Sequence, residues 1–71
     1  MAAQKWEYTT VRVTWSMDHI EINGRADLGL PPTPQGLTDC LNRLGHRGWE
    51  VAGLAAHEVD HIVVILKRPL P

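Results

Sequence analysis

The run Ile62-Val63-Val64-Ile65-Leu66 sets five aliphatic side chains in succession near the end of a 71-residue chain. The first four are β-branched, which suits an extended backbone better than a helix. Side chains alternate between faces along a strand, so this run presents apolar groups in two directions. A chain this short is one domain, residues 1–71, and buries only about 60% of the surface its unfolded form exposes. Each sheltered aliphatic contributes roughly 1.5–3 kcal/mol, so leaving Val63 and Ile65 in water would forgo much of a thin stability margin. Whatever else the chain forms has to cover both sides of this strand.

The rest of the chain supplies one helix for that task. Thr33 can cap it, Pro34 suits its first position, and Leu37, Leu41 and Leu44 recur at helical spacing, with Cys40 bordering the stripe. Arg47 complements the helix C-terminal dipole and Gly48 is a natural stop, so the helix spans about 34–47. Gly45 is read as permitting close approach of helix to sheet, and Trp49 as capping the core beyond it. Upstream, residues 5–15 (KWEYTTVRVTW) read as a first strand. Trp6 and Tyr8 share one face while Val11, Val13 and Trp15 share the other, which implies either a bulge near Thr9-Thr10 or cover on both faces. Residues 19–22 read as a short second strand or strand extension, Asn23-Gly24 as a tight turn, and 25–32 as a loop closed by prolines. Residues 49–58 and 61–68 form two further strands with a turn at Val59-Asp60. The expected fold is α+β: a three- to four-stranded antiparallel sheet packed by one α-helix, with an insertion-like segment at 16–32.

One helix shelters one face of such a sheet. The other face calls for a partner, by face-to-face or edge-to-edge pairing with a second copy, unless the 25–32 loop folds over it. Val63 and Ile65 are the expected interface residues. A homo-oligomer, most simply a dimer, or a subunit of a larger complex follows. The single cysteine excludes an internal disulfide and fits a reducing cytoplasm. A formal net charge of -1 gives no field to attract nucleic acid or anionic lipid. No apolar run is long enough to span a membrane, and residues 1–5 lack the apolar stretch of a signal peptide.

The segment His57-Glu58-Val59-Asp60-His61 spells the H-E-x-x-H signature of zinc hydrolases. That chemistry needs both histidines on one helical face, with the glutamate beside a metal-bound water. Here the strand-like run 62–65 follows at once, and a third ligand would have to come from His19, Glu21 or His46. A hairpin turn with polar ends accounts for the same residues, leaving His57 and His61 only as weak metal candidates. No cofactor is expected.

Other candidates fare no better. Cys40 lies mid-helix, where a small buried hydrophobe is the usual occupant. Ser16, Asp18 and His19 are neighbours in sequence, which is not triad geometry. Trp6, Tyr8 and Trp15 with Lys5 and Arg12 suit a core or interface better than a nucleic-acid stacking surface. Glu7, Asp39 and Glu50 are isolated carboxylates. The expected function is a non-enzymatic binding or assembly module. The competing reading, sustained by four histidines, is a small enzyme or small-molecule binder with an interface pocket lined by Trp6, Tyr8, His19, His57 and His61.

Three segments form a set: Lys5-Trp6-Glu7-Tyr8, Leu41-Asn42-Arg43-Leu44-Gly45 with Gly48-Trp49-Glu50, and Leu66-Lys67-Arg68-Pro69. The chain thereby resembles a family of short, mostly bacterial domains of unknown function that begin KWEY and carry an LNxLGxxGWE segment. The likeness runs from Lys5 to Pro69. It implies a compact strand–helix–hairpin domain with a turn at Val59-Asp60, and no known activity or catalytic residue. The segment 16–32 is longer than the resemblance leads one to expect.

Overall fold

The computed structural model describes residues 3–71. The chain forms β1 (Trp6–Thr14), β2 (Ile20–Ile22), β3 (Arg25–Asp27), α1 (Pro34–Gly45), β4 (Glu50–His57) and β5 (His61–Pro69). The strands make one antiparallel sheet in the order β3-β2-β1-β5-β4. The class is α+β as expected, with five strands rather than three or four. The additional strand comes from the 16–32 segment. Asn23 and Gly24 both take positive φ, 52° and 79°, and this primed turn folds Arg25–Asp27 back onto β2.

The first and last strands are the centre of the sheet. β1 pairs with β5 along its whole length, from Trp6 opposite Pro69 to Thr14 opposite His61, without a register shift. Of the two alternatives the sequence leaves open for this strand, the bulge near Thr9-Thr10 is therefore absent. Thr9, Val11 and Val13 face the helix side, and Trp6 and Tyr8 stand on the opposite face. The two irregularities of the sheet fall in β4, between Val51 and Gly53 and between Leu54 and Ala56.

The core lies between this sheet and α1. Val11, Val13, Ile20, Val64 and Leu66 from the sheet meet Cys40 and Leu44 from the helix, with Leu37, Leu41, Trp49, Ile22 and Ile62 packed around them. Leu30 completes the cluster from the segment between β3 and α1. Asp27 holds that segment in place. It accepts from the Gly29 N–H at 3.0 Å and from Arg43 Nη1 on the helix at 2.8 Å. The loop thus closes over the helix side of the sheet and not over the other face.

Both helix ends follow from local chemistry. Thr33 has extended backbone and its Oγ1 accepts from the Gly36 N–H at 3.1 Å, with Pro34 at the first turn. At the other end Trp49 N–H donates to Leu44 O at 3.1 Å and Gly48 N–H to Gly45 O at 3.0 Å, with Gly48 at φ 90°. These two bonds and the left-handed glycine are a Schellman closure, which turns the chain directly into β4.

The glycine that permits close approach is Gly36, not Gly45. A Cβ at Gly36 would stand 1.8 Å from the Pro31 carbonyl oxygen, whereas one at Gly45 meets nothing within 4 Å. The Pro31-Pro32 turn presses on the first turn of the helix, and the sheet does not press on its last. Gly36→Ala is expected to lower stability by about 1–3 kcal/mol in urea unfolding, since the overlap is with backbone and cannot be relieved by a rotamer. Gly45→Ala should leave stability unchanged or raise it by up to about 1 kcal/mol. Gly48→Val should cost about 1 kcal/mol or more through strain at positive φ, read as a fall in Tm.

Candidate functional site

The sheet face turned away from α1 is bare. Register places Tyr8, Thr10 and Arg12 of β1 on it, beside Ile65, Val63 and Lys67 of β5. Gly53 and Ala56 of β4 flank them on one side, and Glu21 of β2 and Ala26 of β3 on the other. Val63 and Ile65 are half-buried by their strand neighbours alone, and Tyr8 is 62% exposed. At one end the Lys67 ammonium lies 4.3 Å from the Trp6 ring centroid and 3.8 Å from Glu50 Oε1. The cation shields the indole face and is itself neutralised by the carboxylate. In mid-sheet, Glu21 stands directly opposite Arg12.

The helix side of the same sheet end carries a different cluster. Arg68 pairs with Glu7 across the β1–β5 ladder, donates to the Arg47 carbonyl at 3.1 Å, and places its guanidinium 4.3 Å from the Trp49 ring centroid. A planar guanidinium can make all three contacts at once, which an ammonium cannot. This cluster ties the helix exit to the paired chain ends and is a structural clamp.

The five residues grouped as pocket candidates are not brought together within one chain. Trp6 and Tyr8 lie at one end of the bare face. His61 lies at the other end, opposite Thr14, about 20 Å from Tyr8 at the usual strand rise. His57 pairs with Ile62, whose side chain packs on the core, so it belongs to the helix side of the edge strand. His57 and His61 consequently face opposite ways, and Glu58 donates its N–H to His61 O at 2.8 Å to close a hairpin. The H-E-x-x-H spelling is a β-turn here and cannot seat one metal between its two histidines. Among the described residues no three His, Cys, Asp or Glu side chains gather as a metal site.

The remaining candidates are placed as plainly. Cys40 is fully buried, and desolvation pushes its thiol above the ordinary range, which removes thiolate character. Trp15 lies just past β1, its N–H donating to Asp60 O at 2.9 Å, so it does not extend a stacking row with Trp6 and Tyr8. A shallow depression between the chain ends is lined by Ala3, Gln4, Lys5, Leu70 and Pro71, a set without a nucleophile or an acid–base pair.

One signal in the sequence passes easily unnoticed. The tripeptide Asp-His-Ile occurs twice, at 18–20 and at 60–62. In both copies the aspartate binds the next histidine: His19 Nδ1 lies 2.8 Å from Asp18 Oδ1, and His61 Nδ1 lies 2.9 Å from Asp60 Oδ1. The hydrogen bond from each imidazole lowers both carboxyls below their ordinary value.

The described residues thus form a one-helix, five-strand antiparallel domain with one sheltered and one bare sheet face. Compared with known proteins, it matches no family model, no curated protein and no solved structure.

Because both carboxyls are depressed in the folded state, the stabilisation from these pairs is present above their ordinary range and is lost as pH falls through their folded values. NMR titration should therefore show Asp18 and Asp60 titrating below 3.8, with His19→Ala restoring Asp18 and His61→Ala restoring Asp60. Arg68→Lys should lower stability by about 1 kcal/mol in thermal unfolding, because the lysine loses the stacked, forked geometry.

Proposed function

We propose that this domain is a non-enzymatic assembly module that works as a homodimer through its bare sheet face, with Val63 and Ile65 at the centre of the contact. The observation that carries the reading is the side chosen by the segment between β3 and α1. Leu30 and Asp27 commit that segment to the helix side, so no part of residues 3–71 shelters Tyr8, Val63 and Ile65. An aliphatic and aromatic strip of this kind is what a partner covers.

A second copy suits the strip because its charges are already balanced. Lys67 with Glu50, and Arg12 opposite Glu21, leave no field of one sign to repel an identical face. Pairing through the β4 edge is disfavoured by the two bulges in that strand, which disrupt the ladder a neighbouring chain would need. The same proposal sets the chain among the short bacterial domains it resembles, acting in the cytoplasm. A single-chain pocket is not favoured, since Trp6 and Tyr8 stand at one end of the face, His61 at the other, and His57 on the helix side.

Light scattering of the untagged protein should give twice the chain mass. Ile65→Lys should give a folded monomer by circular dichroism and scattering, while Leu54→Lys, on the helix side of β4, should remain dimeric. A wild-type monomer at high concentration, or dissociation by the Leu54 variant alone, overturns the reading.

A further inference from the structure

Two side chains on the bare face are left with matching needs. The Lys67 ammonium is engaged, since it lies 4.3 Å from the Trp6 ring centroid and 3.8 Å from Glu50 Oε1. Arg12 is exposed and takes part in none of the ion pairs among the described residues, although Glu21 faces it across the β1–β2 ladder. The aromatic groups of this face divide in the same way. Trp6 has its cation, whereas the Tyr8 ring is 62% exposed and has none among the described residues. One cation and one ring therefore remain unmatched, and they cannot serve each other within the chain. Their positions on β1 lie about 13 Å apart at the usual strand rise.

Their placement is symmetric. The β1–β5 ladder runs from the Trp6–Pro69 pair to the Thr14–His61 pair, and its midpoint is the Thr10–Ile65 pair. Tyr8 lies two residues before Thr10 and Arg12 two residues after it, so alternation sets all three on one face. Two identical sheets that meet face to face are related by a two-fold axis lying in the plane of contact, and every contact off the axis then occurs twice. An axis crossing the strands at Thr10 and Ile65 turns β1 antiparallel to its counterpart. It lays Tyr8 over the partner subunit's Arg12, and Arg12 over the partner subunit's Tyr8. An axis running along the strands between β1 and β5 would instead set Tyr8 against the partner subunit's Lys67 and Arg12 against the partner subunit's Val63. That choice offers Tyr8 a cation already held by Trp6 and Glu50, and seats a guanidinium on an aliphatic group.

We propose that the two-fold axis of the homodimer crosses the strands at Thr10 and Ile65, so that each Tyr8 ring stacks on the partner subunit's Arg12. The arrangement rests on the homodimer reading of the bare face and specifies which groups recognise each other across it. Sheets pack about 10 Å apart, a gap that a tyrosine and an arginine fill from opposite sides. The planar guanidinium lies flat on an aromatic face, and both residue types are enriched among those that dominate interface energy. Ile65 meets its own counterpart on the axis. The Lys67 stem lies along the partner subunit's Val63 while its ammonium stays with Trp6 and Glu50. Glu21 flanks each Arg12, so covering the guanidinium leaves no charge of one sign within the contact.

The test is the association of untagged charge variants by sedimentation equilibrium, together with isotope-filtered NMR of the wild type. The filtered spectrum should show contacts between the Tyr8 ring and the Arg12 side chain across the two subunits. Tyr8→Arg sets arginine against arginine at both contacts and should weaken the dimer at least about tenfold, and Arg12→Glu should weaken it by a similar factor. Mixing the two variants should restore a dimer of near wild-type affinity. One contact then becomes an arginine–glutamate pair and the other stays arginine on tyrosine. A wild-type monomer overturns the homodimer and this arrangement with it. A wild-type dimer whose two variants do not recover on mixing, or whose cross-subunit contacts join Tyr8 to Lys67, overturns the axis and leaves the homodimer standing. The wild-type spectrum decides the axis even if a variant fails to fold.

Discussion

The sheet is built outward from the pairing of β1 with β5. These two strands supply Val11, Val13, Val64 and Leu66, the middle of the core, and their ladder runs nine residues without interruption. Everything else is attached around this pair: the β2–β3 hairpin beside β1, β4 beside β5, and α1 across one face. Because the backbone ladder fixes alternation, choosing which side α1 covers also chooses which side chains remain uncovered. Tyr8, Val63 and Ile65 are outward because Thr9, Val64 and Leu66 are inward. No rotamer change can move them.

This explains which parts of the molecule are readable in the residues. The helix is plain because its signals are local: Thr33 caps, Pro34 starts, Gly48 turns, and the leucine spacing marks the buried stripe. The two-sided character of β5 is equally local, since alternation is a property of the strand itself. The third strand is harder to see, because Arg25-Ala26-Asp27 has no β-branched residue and pairs only because Asn23-Gly24 turns it back. The roles of the glycines are less visible still. Gly36 and Gly45 are alike in sequence terms, and only the path of Pro31, five residues earlier, decides which of them meets a neighbouring backbone.

The histidines show the same division between local and long-range information. The H-E-x-x-H spelling is conspicuous and misleading, because helical spacing carries no meaning in a hairpin. The Asp-His-Ile duplication is inconspicuous, because its copies are forty-two residues apart. The isoleucine of each copy pairs with the same valine from opposite sides. Register across a central strand sets both isoleucines opposite Val13, and neither periodicity nor composition encodes register between strands so far apart.

The pairing of first strand with last also brings the chain ends side by side, with Leu70 N–H donating to Lys5 O at 2.9 Å. The most central contact in the sheet is therefore the most distant along the polypeptide, and closing it carries the largest loop entropy in the fold. The hairpins around Asn23-Gly24 and Val59-Asp60 need only short closures. Adjacent ends also make the topology nearly circular, so a short linker could join residue 71 to residue 3 and new ends could be opened at either hairpin turn without rerouting a strand.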